Sequence, residues 1–222
     1  ESLFAHQNKM KLNNYNNLLE LFFDQYEKQD KNNIFLINLG NPKHKLSWEK
    51  TYLLVNHLSN QISKDIKLGD RCVLISENRP EWMISDLAIM LAGGISVPSY
   101  TTYTTKDYEY IIKDCEPSVL IVSNNTQFNK IKDILDYKKI KKIISFDRLE
   151  NLKFQNYLCI EDIINKKDGF ENFDSEISLK RSDPACIIYT SGTQGNPKGV
   201  ILSHGGILSN CEGGYELLKS II

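Results

Sequence analysis

Several features that would settle the class of this chain at once are scarce or missing. Its five cysteines, Cys72, Cys115, Cys159, Cys186 and Cys211, are odd in number and widely spaced, with no Cys-x-x-Cys pair and no Cys/His cluster. That spacing argues against a zinc site and against a disulfide framework. Free thiols in a reducing compartment are the simpler reading. Charge of either sign is not in excess: 27 Lys and Arg against 28 Asp and Glu leave a net −1. No bulk field therefore favours nucleic acid or an acidic membrane surface. Long apolar runs are absent. The longest, Leu87 to Val97, is broken by Gly93, Gly94 and Ser96 and is too short to span a bilayer. No signal peptide is recognisable at the start. Glycine and proline are few, and there is no repeat or low-complexity linker. With 41% hydrophobic and 10% aromatic residues, the chain can bury a sizeable core as one large domain or two small ones.

What is present alternates between helix and strand periodicities. Leu18, Leu19, Phe22, Phe23 and Tyr26 predict a surface helix within 16–29, after a loose arm over residues 1–14. Residues 34–37 read as a strand, and 38–45, with Gly40, Asn41 and Pro42, as a turn. Ser47 suits the cap of a helix that begins at Leu46–Trp48 and carries Tyr52, Val55, Leu58 and Ile62 on one face, with Trp48 in core packing. Strand 71–76, a helix ending near Leu91 and strand 95–97 make a βαβ unit, so the two strands should be parallel. Asn78 and Glu81 have capping-box spacing. A helix capped by Thr105, an apolar strand 118–123, a helix over 128–137 and a strand 142–146 follow. Residues 147–183 read as irregular. The lysines of 138–142 read as a solvated turn, since no aromatics interleave them.

The chemistry concentrates in Tyr189-Thr190-Ser191-Gly192-Thr193-Gln194-Gly195-Asn196-Pro197-Lys198-Gly199-Val200. Apolar strands flank it at 185–189 and 200–202, and Ser203 suits the cap of a closing helix. Glycines allow positive φ and close approach of a ligand to the backbone. Successive N–H groups in such a turn form an anion-binding concavity. The hydroxyls of Thr190, Ser191 and Thr193 add donors, and Lys198 adds a point positive charge. A hairpin that only joins two strands needs glycine and asparagine, but not three hydroxyls and a lysine. The stretch is not the ordinary P-loop, because Pro197 stands five residues after Gly192 and Gly199 follows Lys198. It is no dinucleotide fingerprint either. His204 reads as a polar contact in a helix first turn, and Glu77, Arg79 and Glu81 as capping and local ion pairs.

Thr190 to Gly199 resembles the signature Thr-Ser-Gly-Thr-Thr-Gly-x-Pro-Lys-Gly of the adenylate-forming (AMP-binding) superfamily, with Gln194 in place of the commoner Thr. Ser76-Glu77-Asn78-Arg79-Pro80-Glu81-Trp82 and Gly94 to Thr102 are similar to its long-chain fatty-acid–CoA ligase branch. The resemblance runs from about Trp48 to the end. It implies an α/β fold of mostly parallel sheets with flanking helices, the incomplete N-terminal part of the acyl-CoA synthetase large domain. Residues 1–222 would be the N-terminal portion of the adenylation domain, ending just after the phosphate loop, with the C-terminal domain absent.

The same resemblance implies a two-step reaction with ATP, Mg²⁺ and coenzyme A. A fatty acid, of the long-chain class, becomes an acyl-adenylate and then an acyl-CoA. Thr190, Ser191, Gly192, Thr193, Gln194, Gly195, Lys198 and Gly199 would bind the nucleotide phosphates. No catalytic residue and no metal ligand is assigned within the chain, because the family's ribose, Mg²⁺ and lysine motifs lie downstream of the loop. The chain alone is expected to be inactive. The partners expected are small molecules and not nucleic acid. The expected setting is cytoplasmic, with peripheral membrane contact of the longer protein left open. Two alternatives stand beside this: an acyl-AMP ligase that loads a carrier protein, and a non-catalytic nucleotide-binding module.

Overall fold

A computed structural model describes residues 12–41, 44–166, 168–170, 173–175, 177–190 and 197–218. The order of elements is α1 (Leu18–Lys28), β1 (Ile34–Ile37), β2 (Lys45–Ser47), α2 (Trp48–Ser63), β3 (Arg71–Ile75), α3 (Pro80–Leu91), β4 (Ile95–Ser99), α4 (Thr105–Cys115), β5 (Val119–Val122), α5 (Asn125–Asn129), β6 (Lys142–Ser145), β7 (Tyr157–Cys159), α6 (Ile160–Ile164), β8 (Pro184–Thr190), β9 (Lys198–Ser203) and α7 (His204–Leu218). Among the described residues, β1 and β2 form a small antiparallel pair. The other strands form a seven-stranded sheet in the order β7-β6-β5-β3-β4-β8-β9. It is parallel except for β9, which runs against β8. This is the mostly parallel α/β architecture that the sequence implies.

The centre of the sheet buries both faces because Cys72–Ile75 of β3 and Val119–Val122 of β5 are apolar at every position and not only at alternate ones. Cys72 and Leu74 of β3 face one cluster with Leu54, Leu58 and Ile62 of α2 and Ile84 and Ala88 of α3. Val73 and Ile75 face the other, with Tyr108 and Ile111 of α4. From β3 the chain steps to β4 on one side and then crosses to β5, β6 and β7 on the other. Loops at the carboxyl ends of parallel strands around such a reversal are where open α/β sheets bind ligands.

Local sequence explains most element ends. The Asn17 side chain accepts from Glu20 N–H and caps α1, and Ser47 does the same for α2 through Lys50 N–H. Ser203 caps α7 by accepting from Gly206 N–H at 3.1 Å. Trp48 stacks on Phe35 at 3.7 Å, as core packing requires.

Six local expectations are corrected. Residues 45–47 form β2, not the end of a turn and the start of a helix, because their partner is β1. Asn78 and Glu81 make no capping box: Arg79 is the cap residue of α3 and no side chain bonds the helix end. Glu81 is instead held by Arg79. Thr104, not Thr105, caps α4, in a reciprocal capping box with Asp107. The helix expected over 128–137 is shorter and earlier, ending at Asn129. Residues 147–183 contain β7 and α6, and β7 extends the parallel sheet. The basic stretch is also not wholly solvated. Lys142 is 5% exposed and reaches Asp65 at 2.8 Å.

Candidate functional site

The motif is carried by the β8–β9 pair. The register sets Ile188 against Val200, Tyr189 against Gly199 and Thr190 against Lys198. The seven residues 191–197 therefore leave from and return to a paired root. Thr190, Lys198 and Gly199 are seen at that root. Ser191, Gly192, Thr193, Gln194 and Gly195 lie outside the described residues. Directly opposed strand residues share a face, and faces alternate along the chain. Thr190 and Lys198 thus stand on the same sheet face as Cys186, Ile188 and Leu202.

That face opens on a cleft of about 890 Å³. It lies between α3 and α7 over the ends of β3, β4 and β8. Ser76 and Asn78 of the β3–α3 loop and Ser99 at the end of β4 form a polar rim, while Trp82, Ile188 and Ile207 give apolar wall. A cation and hydroxyl beside a concave, mostly apolar opening is a typical ligand arrangement.

Gly199 is fixed by the other face. A Cβ there would lie 3.0 Å from Ile187 Cγ2 and 3.2 Å from Tyr189 Cζ. The Tyr189 ring thus fills the place a side chain would take. Tyr189 is 2% exposed, and its hydroxyl donates to Asp114 Oδ2 at 2.5 Å.

Asp86 in the cleft wall is the group that sequence reasoning missed. Its signal was available: between Glu81 and Lys106 it is the one charged residue. Burial pushes its carboxyl up to about 6, against an opposing contribution from Ser96. Below about pH 4 it is neutral both folded and unfolded. Between pH 4 and 6 only the unfolded chain ionises, so stability falls through that window. Asp86→Asn should therefore be more stable than the parent by about 1–3 kcal/mol at pH 7.5 and equal to it near pH 4. Urea unfolding at both pH values checks this, and an advantage of the same size at both would refute it.

The other candidates are structural. His204 is 1% exposed, and its Nδ1 accepts from Leu18 N–H at 3.3 Å. Burial pushes its imidazole down, with Asp183 opposing. It holds α1 to α7. The cysteines are all free; four are buried and Cys211 is exposed. Burial, then the nearby Asp86, pushes the Cys186 thiol up to about 11, so it is no nucleophile at neutral pH. Among the described residues no group of three or more His, Cys, Asp or Glu could hold a metal ion, and no helix is long and apolar enough to cross a membrane.

A family model described as AMP-binding enzyme matches residues 22–219. Among curated proteins, the long-chain-fatty-acid–CoA ligase ACSBG2 of Xenopus laevis is 33% identical over 176 residues, which are 76% of this chain and 23% of the relative. The long-chain-fatty-acid–CoA ligase ACSBG1 of Rattus norvegicus is 31% identical over 175 residues, 74% of this chain and 24% of the relative. The chain spans about a quarter of the length of these curated relatives. Among solved structures, the anthranilate CoA ligase AuaEII in complex with anthranoyl-AMP superposes with a TM-score of 0.70 at 24% identity, covering 88% of this chain and 36% of that one. That likeness shows a shared fold. The root of the motif, the parallel sheet behind it and a family match over nearly the whole length agree, and the chain belongs to the AMP-binding enzyme family, with long-chain-fatty-acid–CoA ligases among its relatives.

Proposed function

We propose that this chain supplies the phosphate-binding corner of an ATP-dependent ligase that activates a long-chain fatty acid to its acyl-adenylate and passes the acyl group to coenzyme A. The observation that carries the reading is the Thr190–Lys198 pair, which closes a segment rich in glycine and hydroxyls on the sheet face whose Cys186, Ile188 and Leu202 line the cleft. In the first step a carboxylate oxygen bonds to the α-phosphorus and the bond from that phosphorus to pyrophosphate breaks. In the second, a thiol attacks the acyl carbonyl, loses its proton, and AMP leaves.

What these residues contribute is position and charge. Thr190 offers a hydroxyl to a phosphate oxygen. Lys198 supplies the positive charge against which pyrophosphate departs. Ser191, Gly192, Thr193, Gln194 and Gly195 complete the cradle with hydroxyl, amide and backbone donors. Magnesium arrives with the nucleotide and has no assigned ligand in this chain. Free thiols at every cysteine suit a reducing, cytoplasmic setting.

The test uses the intact gene product that carries these 222 residues. Carboxylate-dependent ATP–pyrophosphate exchange is measured across a series of fatty-acid chain lengths, followed by thioester formation with coenzyme A. Exchange that peaks with long chains and yields acyl-CoA supports the reading. Exchange without acyl-CoA points to a carrier-protein acceptor. ATP binding without exchange for any acid leaves a nucleotide-binding module.

A further inference from the structure

We propose that Tyr103 and Asp114 are positioning residues for the phosphate-binding loop, acting through Tyr189 on the strand end from which the loop hangs. The proposal rests on the phosphate-binding reading above and adds to it the groups that hold the loop in place.

The need for such groups follows from the sheet. β4 continues to Ser99 and β8 to Thr190, yet the two strands pair only at Ser96 and Cys186. Beyond that point no further ladder pair forms, and Ser99, Tyr100 and Ile188 line the cleft over the strand ends. The part of β8 nearest the loop has β9 on one side and no ladder partner in β4 on the other. A buried carbonyl there needs another donor. The Tyr103 hydroxyl provides it, donating to the Tyr189 carbonyl at 2.9 Å. One residue thus receives two anchors from the α4 unit: its carbonyl from Tyr103, and its hydroxyl through Asp114 in the last turn of α4.

The anchors are themselves fixed. Tyr103 stands edge-on to Tyr100 at 5.4 Å and to Tyr108 at 5.9 Å between ring centres. Tyr108 is fully buried, and its hydroxyl donates to the Tyr100 carbonyl at 2.6 Å. The Lys130 ammonium donates to the Thr101 carbonyl. The Thr104 capping box ties the same loop to the start of α4. Burial pushes the hydroxyls of Tyr103 and Tyr189 up, with the hydrogen bond to Asp114 adding to the latter, so both stay protonated donors at neutral pH. Thr190 follows Tyr189 directly, and its cross-strand partner is Lys198. A shift at Tyr189 therefore moves both ends of the loop together, and misplacement by about 1 Å is costly at a reacting phosphate.

The experiment compares Tyr103→Phe, Tyr189→Phe, Asp114→Ala and Asp114→Asn in the intact gene product. ATP KM in pyrophosphate exchange, fatty-acid KM, equilibrium ATP binding and thermal unfolding are measured for each. Loss of one such hydrogen bond should raise ATP KM and weaken ATP binding about five- to ten-fold while fatty-acid KM stays constant. Asp114→Asn keeps an acceptor oxygen and should match the parent. Tyr189→Phe combined with Asp114→Ala should be no worse than either alone, because both remove the same bond. Unchanged ATP affinity in all variants overturns the proposal. So does a loss that affects both substrates equally and follows the fall in melting temperature. A parent that binds ATP without exchange overturns the ligase reading alone, since the binding ratios still test the anchors. A parent that binds no ATP overturns both.

Discussion

Lys198→Ala in the intact gene product lowers carboxylate-dependent ATP–pyrophosphate exchange by about two to three orders of magnitude, the usual cost of removing one preorganised group aimed at developing charge. Lys198 is exposed at the root of the loop, and among the described residues it makes no ion pair. Its charge is therefore not spent on holding the fold, and unfolding stability should change by less than about 0.5 kcal/mol. Exposed cations are weak in open water but strengthen when a bound ligand excludes solvent. Lys198→Arg retains the charge on a broader, planar head and should recover only part of the rate. A loss below about five-fold in Lys198→Ala would place the lysine away from the phosphates and sink its assigned role.

Arg79→Ala destabilises the fold by about 3–5 kcal/mol, because it strands a buried carboxylate. Glu81 is 3% exposed in the first turn of α3. Arg79 Nη2 lies 3.1 Å from its Oε1, and Nε lies 3.3 Å from its Oε2. The same guanidinium reaches Asp147 with two contacts of 2.8 and 2.9 Å and lies over the Phe146 ring at 5.4 Å. The Asp147 side chain is 49% exposed, so that half of the bridge contributes little. The cost comes from Glu81, which also has the His44 imidazole beside it, at 3.8 Å. Denaturant unfolding of Arg79→Ala and of Arg79→Ala with Glu81→Met separates the two parts. The double variant should recover most of the loss. A single-variant cost below about 1 kcal/mol would show that Glu81 finds water or His44 and that the pair is not decisive.

The parallel strands were legible because a strand buried on both faces is written as an unbroken apolar run, as in Val119–Val122. The helix that carries Leu18 and Phe22 was legible from periodicity, and the one after Ser47 from its cap. What escaped was decided at a distance. Three residues, Lys45–Ser47, have no strand signal of their own and become β2 only through β1. Asn78 and Glu81 have the right spacing for a capping box, but Arg79 joins Glu81 to Asp147, which is 68 residues away in sequence. The β7–α6 unit is short, and its place is set by pairing with β6.

The site divides the same way. The motif declared its chemistry in contiguous residues, since a phosphate cradle needs glycines, hydroxyls and a lysine close together. The cleft did not, because Trp82, Asp86, Ile188 and Leu202 come from three elements that only the sheet brings together. Helix α3 is buried on most of its surface, so Asp86 was to be found as a lone charge in an apolar stretch and not on a polar face.

The ring of Tyr189 over Gly199 also measures length. If β9 slid by one residue along β8, Lys198 or Val200 would come beneath the ring, where a Cβ already lies 3.2 Å from Tyr189 Cζ and the ring would have to give way. The two strands therefore resist trading register to absorb an added or deleted residue. Any change in the count between Thr190 and Lys198 must appear as slack or tension in the span itself. An aromatic ring on one strand and a missing side chain on the other together act as a gauge for the segment they enclose.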